Sequence, residues 1–133
     1  MIKSPDEFIA LVDSGDKADA KQASEDEATL DVWLRVIEMR PDLRFDVAQN
    51  KTVPEEVLVR LAADPDARVR GMVARKRKAS AALLAKLAVD RDSGVRLAVA
   101  YNLSTPREVL ELQRNDTWEE VARKVADRLA DEP

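Results

Sequence analysis

Apolar residues fall along this chain in short clusters spaced one, three and four apart, separated by polar or proline-containing gaps. Val57, Leu58, Leu61 and Ala62 make one cluster, Leu83, Leu84, Leu87 and Ala88 a second, and Val109, Leu110 and Leu112 a third. Between them Val69 lies four residues from Val73, and Val95 four from Val99. Such spacing puts side chains on one helical face, so each cluster predicts a short amphipathic helix with its apolar stripe inward. Caps and prolines mark the starts. Ser4-Pro5-Asp6-Glu7 places a serine cap, a proline at the first helical position and a glutamate three residues after the cap. That helix turns Phe8, Ile9, Leu11 and Val12 inward and ends at Asp13-Ser14-Gly15-Asp16. Lys17–Ala23 predicts a short helical turn. Ser24-Glu25-Asp26-Glu27 reads as a second capping box, opening a helix with Val32, Trp33, Val36 and Ile37 inward and a stop at Pro41. Further starts are read at Thr52-Val53-Pro54-Glu55, Ala79-Ser80 and Thr105-Pro106-Arg107-Glu108. Tight turns are read at Asp64-Pro65-Asp66 and Asp90-Arg91-Asp92. Thr117-Trp118-Glu119-Glu120 caps a last helix to about Leu129, with Trp118, Val121, Val125 and Leu129 facing the core and Arg123, Lys124, Asp127 and Arg128 facing water.

These clusters recur every 26 residues. Val47, Val73, Val99 and Val125 each precede an alanine, and four residues before each lies Leu43, Val69, Val95 or Val121. Arg44, Arg70 and Arg96 follow the first three of these, and Ala122 breaks the series. A period of this length predicts stacked supersecondary units, none of which can bury its apolar face alone. The expected fold is an all-α solenoid of about four helical-hairpin repeats in a single domain, residues 1–133. An acidic N-terminal cap occupies 1–27, the repeats 28–116, and a C-terminal capping helix 117–133.

Composition narrows the chemistry. Aromatic residues are 4 % of the chain, so the core is built from Ala, Val and Leu. With no cysteine and no histidine, disulfides, thiolate metal sites, cysteine nucleophiles and histidine acid–base schemes are excluded. No cofactor and no metal are expected. The N-terminus runs into a capped helix without an apolar signal-peptide core, and no stretch approaches a membrane span, so a cytoplasmic setting is expected. The net charge of −4 hides an asymmetry: residues 1–32 carry nine acids and three bases, residues 67–96 nine bases and two acids. Such segregation steers association with oppositely charged partners.

The words Thr52-Val53-Pro54-Glu55-Glu56-Val57-Leu58, Leu61-Ala62-Ala63-Asp64-Pro65-Asp66, Val69-Arg70 and Val73-Ala74 resemble the variant leucine-rich repeat family, itself similar in shape to HEAT repeats. They recur at Leu83–Asn102 and more weakly at Thr105–Arg128, so the resemblance covers roughly residues 28–130. It implies a right-handed superhelix of alternating α-helices and shorter, sometimes 3₁₀, helices. A founding member's cysteine-ligated iron–sulfur cluster does not carry over to a chain without cysteine, and the family shares no activity to transfer.

Three groups of residues are candidate sites. The arginine ladder Arg44, Arg70 and Arg96 reads either as an anion-binding stripe or as a structural ladder paired with turn aspartates such as Asp64 and Asp90; resemblance to HEAT-type ladders favours the second. Asn50 and Asn102 are expected as helix C-terminal caps. The basic segment 68–78, with Arg68, Arg75, Lys76, Arg77 and Lys78, has the charge density that phosphate binding needs. It sits at a helix C-terminus, where cations are favoured anyway, and no aromatic residues interleave with it. An acidic protein partner therefore ranks above nucleic acid. Finally, aligned at 26, two positions vary: Phe45, Gly71, Leu97, Arg123 and Gln49, Arg75, Tyr101, Asp127. Aromatic and arginine residues on one helical face are the stuff of protein hot spots. No catalytic constellation stands out. The expected function is a non-enzymatic, monomeric module binding a protein partner through Phe45, Gln49, Leu97, Tyr101 and the basic segment. The alternatives are nucleic-acid binding through 68–78 and an immunity- or antitoxin-like role in which the acidic N-terminal region covers a basic toxin.

Overall fold

In a computed structural model, which describes residues 1–131, the chain is all helical. Glu132 and Pro133, the end of the expected capping segment, lie outside the described residues. Ten α-helices occur among the described residues, and no strand. They are α1 (Pro5–Asp13), α2 (Lys17–Glu25), α3 (Leu30–Met39), α4 (Arg44–Gln49), α5 (Glu55–Leu61), α6 (Ala67–Ala74), α7 (Ala81–Leu87), α8 (Ser93–Tyr101), α9 (Arg107–Leu112) and α10 (Glu119–Asp131), with a 3₁₀ turn at Pro41–Leu43. No helix among the described residues is long and apolar enough to cross a membrane. The chain divides into two compact units, Met1–Leu61 and Ala62 onward.

In the first unit Ser4 caps α1 through its hydroxyl to the Glu7 N–H at 3.1 Å, and Gly15, at φ +72°, ends the helix in the left-handed region. Lys17–Ala23 is more than a turn. Asp16 accepts the N–H groups of Ala18 and Asp19, and three alanines of high helix propensity carry α2 through Glu25. The capping box expected at Ser24 therefore does not form: that serine lies inside α2 and donates to the Lys21 carbonyl. Thr29 caps α3 instead. Helix α1 packs on α2 and α3, α3 on α4, α2 on α4, and α5 on α3 and α4. The two largest buried side chains of this unit are aromatic: Phe8 meets Trp33 edge-to-face with ring centroids 5.2 Å apart. Val32, Val36, Ile37, Leu43, Val47, Val57, Leu58 and Leu61 complete the core.

In the second unit α6 packs on α8, α8 on α10, and α7 on both α8 and α9. Asp66, Ser80 and Asp92 cap α6, α7 and α8. Val73, Val99 and Val125 are wholly buried, as are Ala74 and Ala100, and Val69, Val95 and Val121 lie beside them; Ala126 departs from the series and is exposed. Two terminal positions differ from the sequence reading. Leu112 is exposed and Gln113 is buried at the place of Leu87, because Gln113 aligns with Leu87 at 26 and Leu112 with exposed Lys86. Trp118 is also exposed: its N–H is taken by Asp116 at the turn, and α10 begins one residue later. Thr105 is buried but caps nothing; its hydroxyl donates to the Val99 carbonyl at 2.7 Å, and α9 starts from Pro106.

Candidate functional site

The regular polar residues are engaged inside the fold. Arg70, 4 % exposed, donates Nε and Nη2 to the two oxygens of Asp90 at 2.8 and 3.0 Å, and Nη1 to the carbonyls of Asp64 and Pro65 at 2.9 and 3.0 Å. One helical hairpin later Arg96 repeats the pattern: Nε and Nη2 on Asp116 at 2.8 and 3.2 Å, and Nη1 on the carbonyls of Asp90 and Arg91. Each guanidinium thus ties the turn preceding its own helix to the turn that follows one hairpin later. The carboxylate partner lies 20 residues ahead, so Arg70 takes Asp90, while Asp64 serves Arg70 through its backbone carbonyl. Asp64, Asp90 and Asp116 also accept the N–H two residues on, which shapes each turn for the helix that follows. Burial alone would raise the Asp90 carboxyl; the Arg70 hydrogen bonds, the Asp92 N–H and the Arg70 and Arg91 charges outweigh it and hold Asp90 below the usual carboxylate range. In the first unit Arg44 donates Nε to the Ile37 carbonyl at 3.0 Å. Bidentate arginines with their donors directed at protein oxygens have little left for an anion.

A second register runs through the asparagines. They end their helices in extended conformation, yet their side chains cap a different helix. Asn102 donates Nδ2 to the carbonyls of Ala74 and Lys76, both at 2.8 Å, at the C-terminus of α6. Asn50 does the same to Ala23 and Asp26 at the end of α2, at 2.7 and 2.9 Å. At the next place in the period stands Arg128, which donates Nη1 to the carbonyls of Ala100 and Asn102 at the end of α8, both at 2.8 Å. Asp116 does not figure in the sequence reading, and Arg128, expected to face water, is half-buried and turned to these carbonyls instead; spacings of 26 from Asp90 and Asn102 point to both.

The basic segment is divided. Arg68 sits at the N-terminal end of α6 and is held by Asp66, with Nη2 to Oδ2 at 2.9 Å. Arg75 closes the helix seven residues later, about 10 Å along the axis. Arg75, Arg77 and Lys78 are exposed, and Lys76 is half-buried. Although the Lys78 side chain is exposed, partial desolvation lowers its ammonium from the ordinary value. The variable positions also separate. Tyr101 is 54 % exposed at the end of α8, and the Lys124 ammonium lies 4.6 Å from its ring centroid, a cation–π distance. Leu97, by contrast, is half-buried against Ala100, Leu110, Val121, Val125 and Leu129, so it belongs chiefly to the core. Because Asn102 bonds the carbonyls on either side of Arg75, its neighbour Tyr101 and Arg75 hold equivalent places at the ends of adjacent helices. Exposed Leu103 continues that edge.

In the first unit Phe45 is half-buried and Gln49 exposed. Gln49 lies on the rim of a cavity of about 100 Å³ that it shares with Val12, Ala20, Ala23, Ser24 and Asp46. The sequence reading missed Asp46, whose signal is partial burial without a cation. Burial, with the charges of Asp42 and Asp13, raises its carboxyl above the ordinary value against the pull of its own backbone N–H. No group of three metal-ligating side chains occurs among the described residues. No protein-family model, curated protein or solved structure matches the chain.

Proposed function

We propose that the chain is a right-handed α-solenoid of 26-residue helical hairpins, similar to variant leucine-rich repeats, which serves as a non-enzymatic protein-interaction module. The observation behind this reading is a division of labour in the second unit. Its regular arginines, Arg70 and Arg96, and Asn102 are directed at internal oxygens, while Tyr101, Leu103, Arg75 and Arg77 at the helix ends face solvent. A large ring flanked by cations on a rigid edge suits an acidic partner segment carrying an apolar anchor. Rigid presentation limits the entropy lost on binding, and exposed guanidinium groups favour encounter with an acidic surface. Affinity capture from the native host with mass spectrometry tests it. A partner retained by the wild type and by Arg68→Glu, and lost from Tyr101→Ala and from Arg75→Glu with Arg77→Glu, is the expected result. Retention by the charge-reversed protein, or recovery of nucleic acid with a steep salt dependence in place of protein, overturns it.

A further inference from the structure

The cavity in the first unit is lined by apolar and polar residues together. Val12 from α1 and Ala20 and Ala23 from α2 supply methyl groups; Ser24 from α2 and Asp46 and Gln49 from α4 supply a hydroxyl, a carboxylate and an amide. The Ser24 hydroxyl hydrogen is directed to the Lys21 carbonyl at 2.8 Å, leaving its lone pairs to accept. Among the described residues no cation pairs with Asp46. Its charged neighbours are the acids Asp13 on α1 and Asp42 in the 3₁₀ turn. The arginine beside them, Arg40, is held by both: 3.0 and 3.2 Å to Asp13, 3.0 and 2.9 Å to Asp42. Lys17 and Lys21 of α2 form no ion pair with it. A half-buried carboxylate with acidic neighbours and no cation costs stability, so the arrangement calls for a positive group from outside.

We propose that this cavity receives a lysine side chain from a basic protein partner, its alkyl stem against Val12, Ala20 and Ala23 and its ammonium donating to Asp46, Gln49 and Ser24. An ammonium carries three donors, and the cavity offers three acceptors. A guanidinium would bring five donors to the same three groups. The acidic surroundings, nine acids to three bases over residues 1–32, make the partner segment basic. This site goes beyond the α8 edge and involves none of its residues.

The test is a titration of the isotopically labelled full chain, followed by amide NMR, with acetyl-Gly-Lys-Gly-amide, its arginine analogue and its norleucine analogue. Expected are saturable shifts at Ala20, Ala23, Asp46 and Gln49 with the lysine peptide. Affinity should be at least tenfold weaker with norleucine, and tenfold weaker for the lysine peptide on Asp46→Asn. The side-chain carboxyl resonance of Asp46 should titrate at lower pH when the lysine peptide is bound. Equal shifts from all three peptides, or unchanged lysine binding by Asp46→Asn, overturn the proposal. If Asp46→Asn changes the whole spectrum, Gln49→Leu at an exposed position replaces it, with the same expected loss and the same overturning result. Partner capture that depends on Tyr101 is unaffected by either outcome, so failure here leaves the α8 edge standing.

Discussion

Asn102 offers a test of whether side-chain bonds between hairpins hold the second unit together. Its Nδ2 donates to the carbonyls of Ala74 and Lys76, both at 2.8 Å, and its Oδ1 accepts the Ser104 N–H at 2.8 Å. The residue is 6 % exposed. Asn102→Ala strands the Ala74 carbonyl and the Ser104 N–H, whereas the Lys76 carbonyl keeps the Ala79 N–H at 3.1 Å. The Ala74 carbonyl is buried and costs about 1–3 kcal/mol when unpaired; the Ser104 N–H, which water can reach, loses a net bond of about 0.5–1.5 kcal/mol, for a total of about 1.5–4.5 kcal/mol. Asn102→Asp keeps the shape and the bond from Ser104 but points an anion at two carbonyl oxygens, so it is expected to be less stable than alanine at pH 7. Folding then raises the pKa of the new carboxyl above its unfolded value. The native state binds the proton more tightly, and stability of this variant relative to Asn102→Ala rises as pH falls through the raised pKa. The assay is urea unfolding at pH 7 and pH 4, followed by circular dichroism and by Trp118 fluorescence in a Trp33→Phe background, which reports the second unit alone. An aspartate variant as stable as the alanine variant at pH 7, or an alanine variant that loses less than about 1 kcal/mol, would refute the reasoning.

Arg70→Ala leaves Asp90 and two turn carbonyls without their cation and is expected to cost about 3 kcal/mol by urea unfolding, whereas Arg68→Ala, removing an exposed local contact, should leave the midpoint where it was. Gly71 lies inside α6, and a Cβ there would meet only Val95 Cγ2, at 3.9 Å; Gly71→Ala should add about 1 kcal/mol of stability, and a loss would mean that α6 and α8 are packed more closely than the structure has them. Asp90 is held below its ordinary pKa, so its contribution is present above the unfolded value and is lost as pH falls through the folded one; Asp90→Asn should be less stable at pH 7 and show a shallower acid limb in a pH series of melting temperatures. Asp46 has the opposite sign: Asp46→Asn should melt higher than wild type at pH 7, and the difference should vanish as pH falls below the unfolded carboxylate value.

How far the sequence reached depended on how local the cause was. Period-26 alignment finds Val73, Val99 and Val125 because burial on a short helix repeats with the helix itself. It also finds the arginines, but not which aspartate each one meets: that depends on which turn stacks next, and the answer, 20 residues ahead, comes from tertiary packing. Asn102 looks like a cap for its own helix because capping is usually local; here its amide reaches α6. Leu112 and Gln113 were exchanged because hydrophobicity was weighed above register, whereas position in the period decides burial and a glutamine can fill a leucine's place by donating Nε2 to the Ala88 and Arg96 carbonyls. The Asp46 cavity had no motif, since its walls come from three helices joined only by folding.

The side-chain bonds from Asn102 to residues 74 and 76, and from Arg128 to residues 100 and 102, act as a ruler. Each fixes the contour length between one helix end and the next, so a single inserted or deleted residue between Lys76 and Asn102 would carry the donor off its acceptors while every hydrophobic cluster could still slide to compensate. Variation in this chain is therefore channelled into substitution rather than length. Arg75 and Tyr101 stand next to the ruler's marks and face water, so their side chains can be exchanged for others without recalibrating it. A library randomised at those positions, with spacing held constant, is the form in which new binding specificities could be drawn from this scaffold.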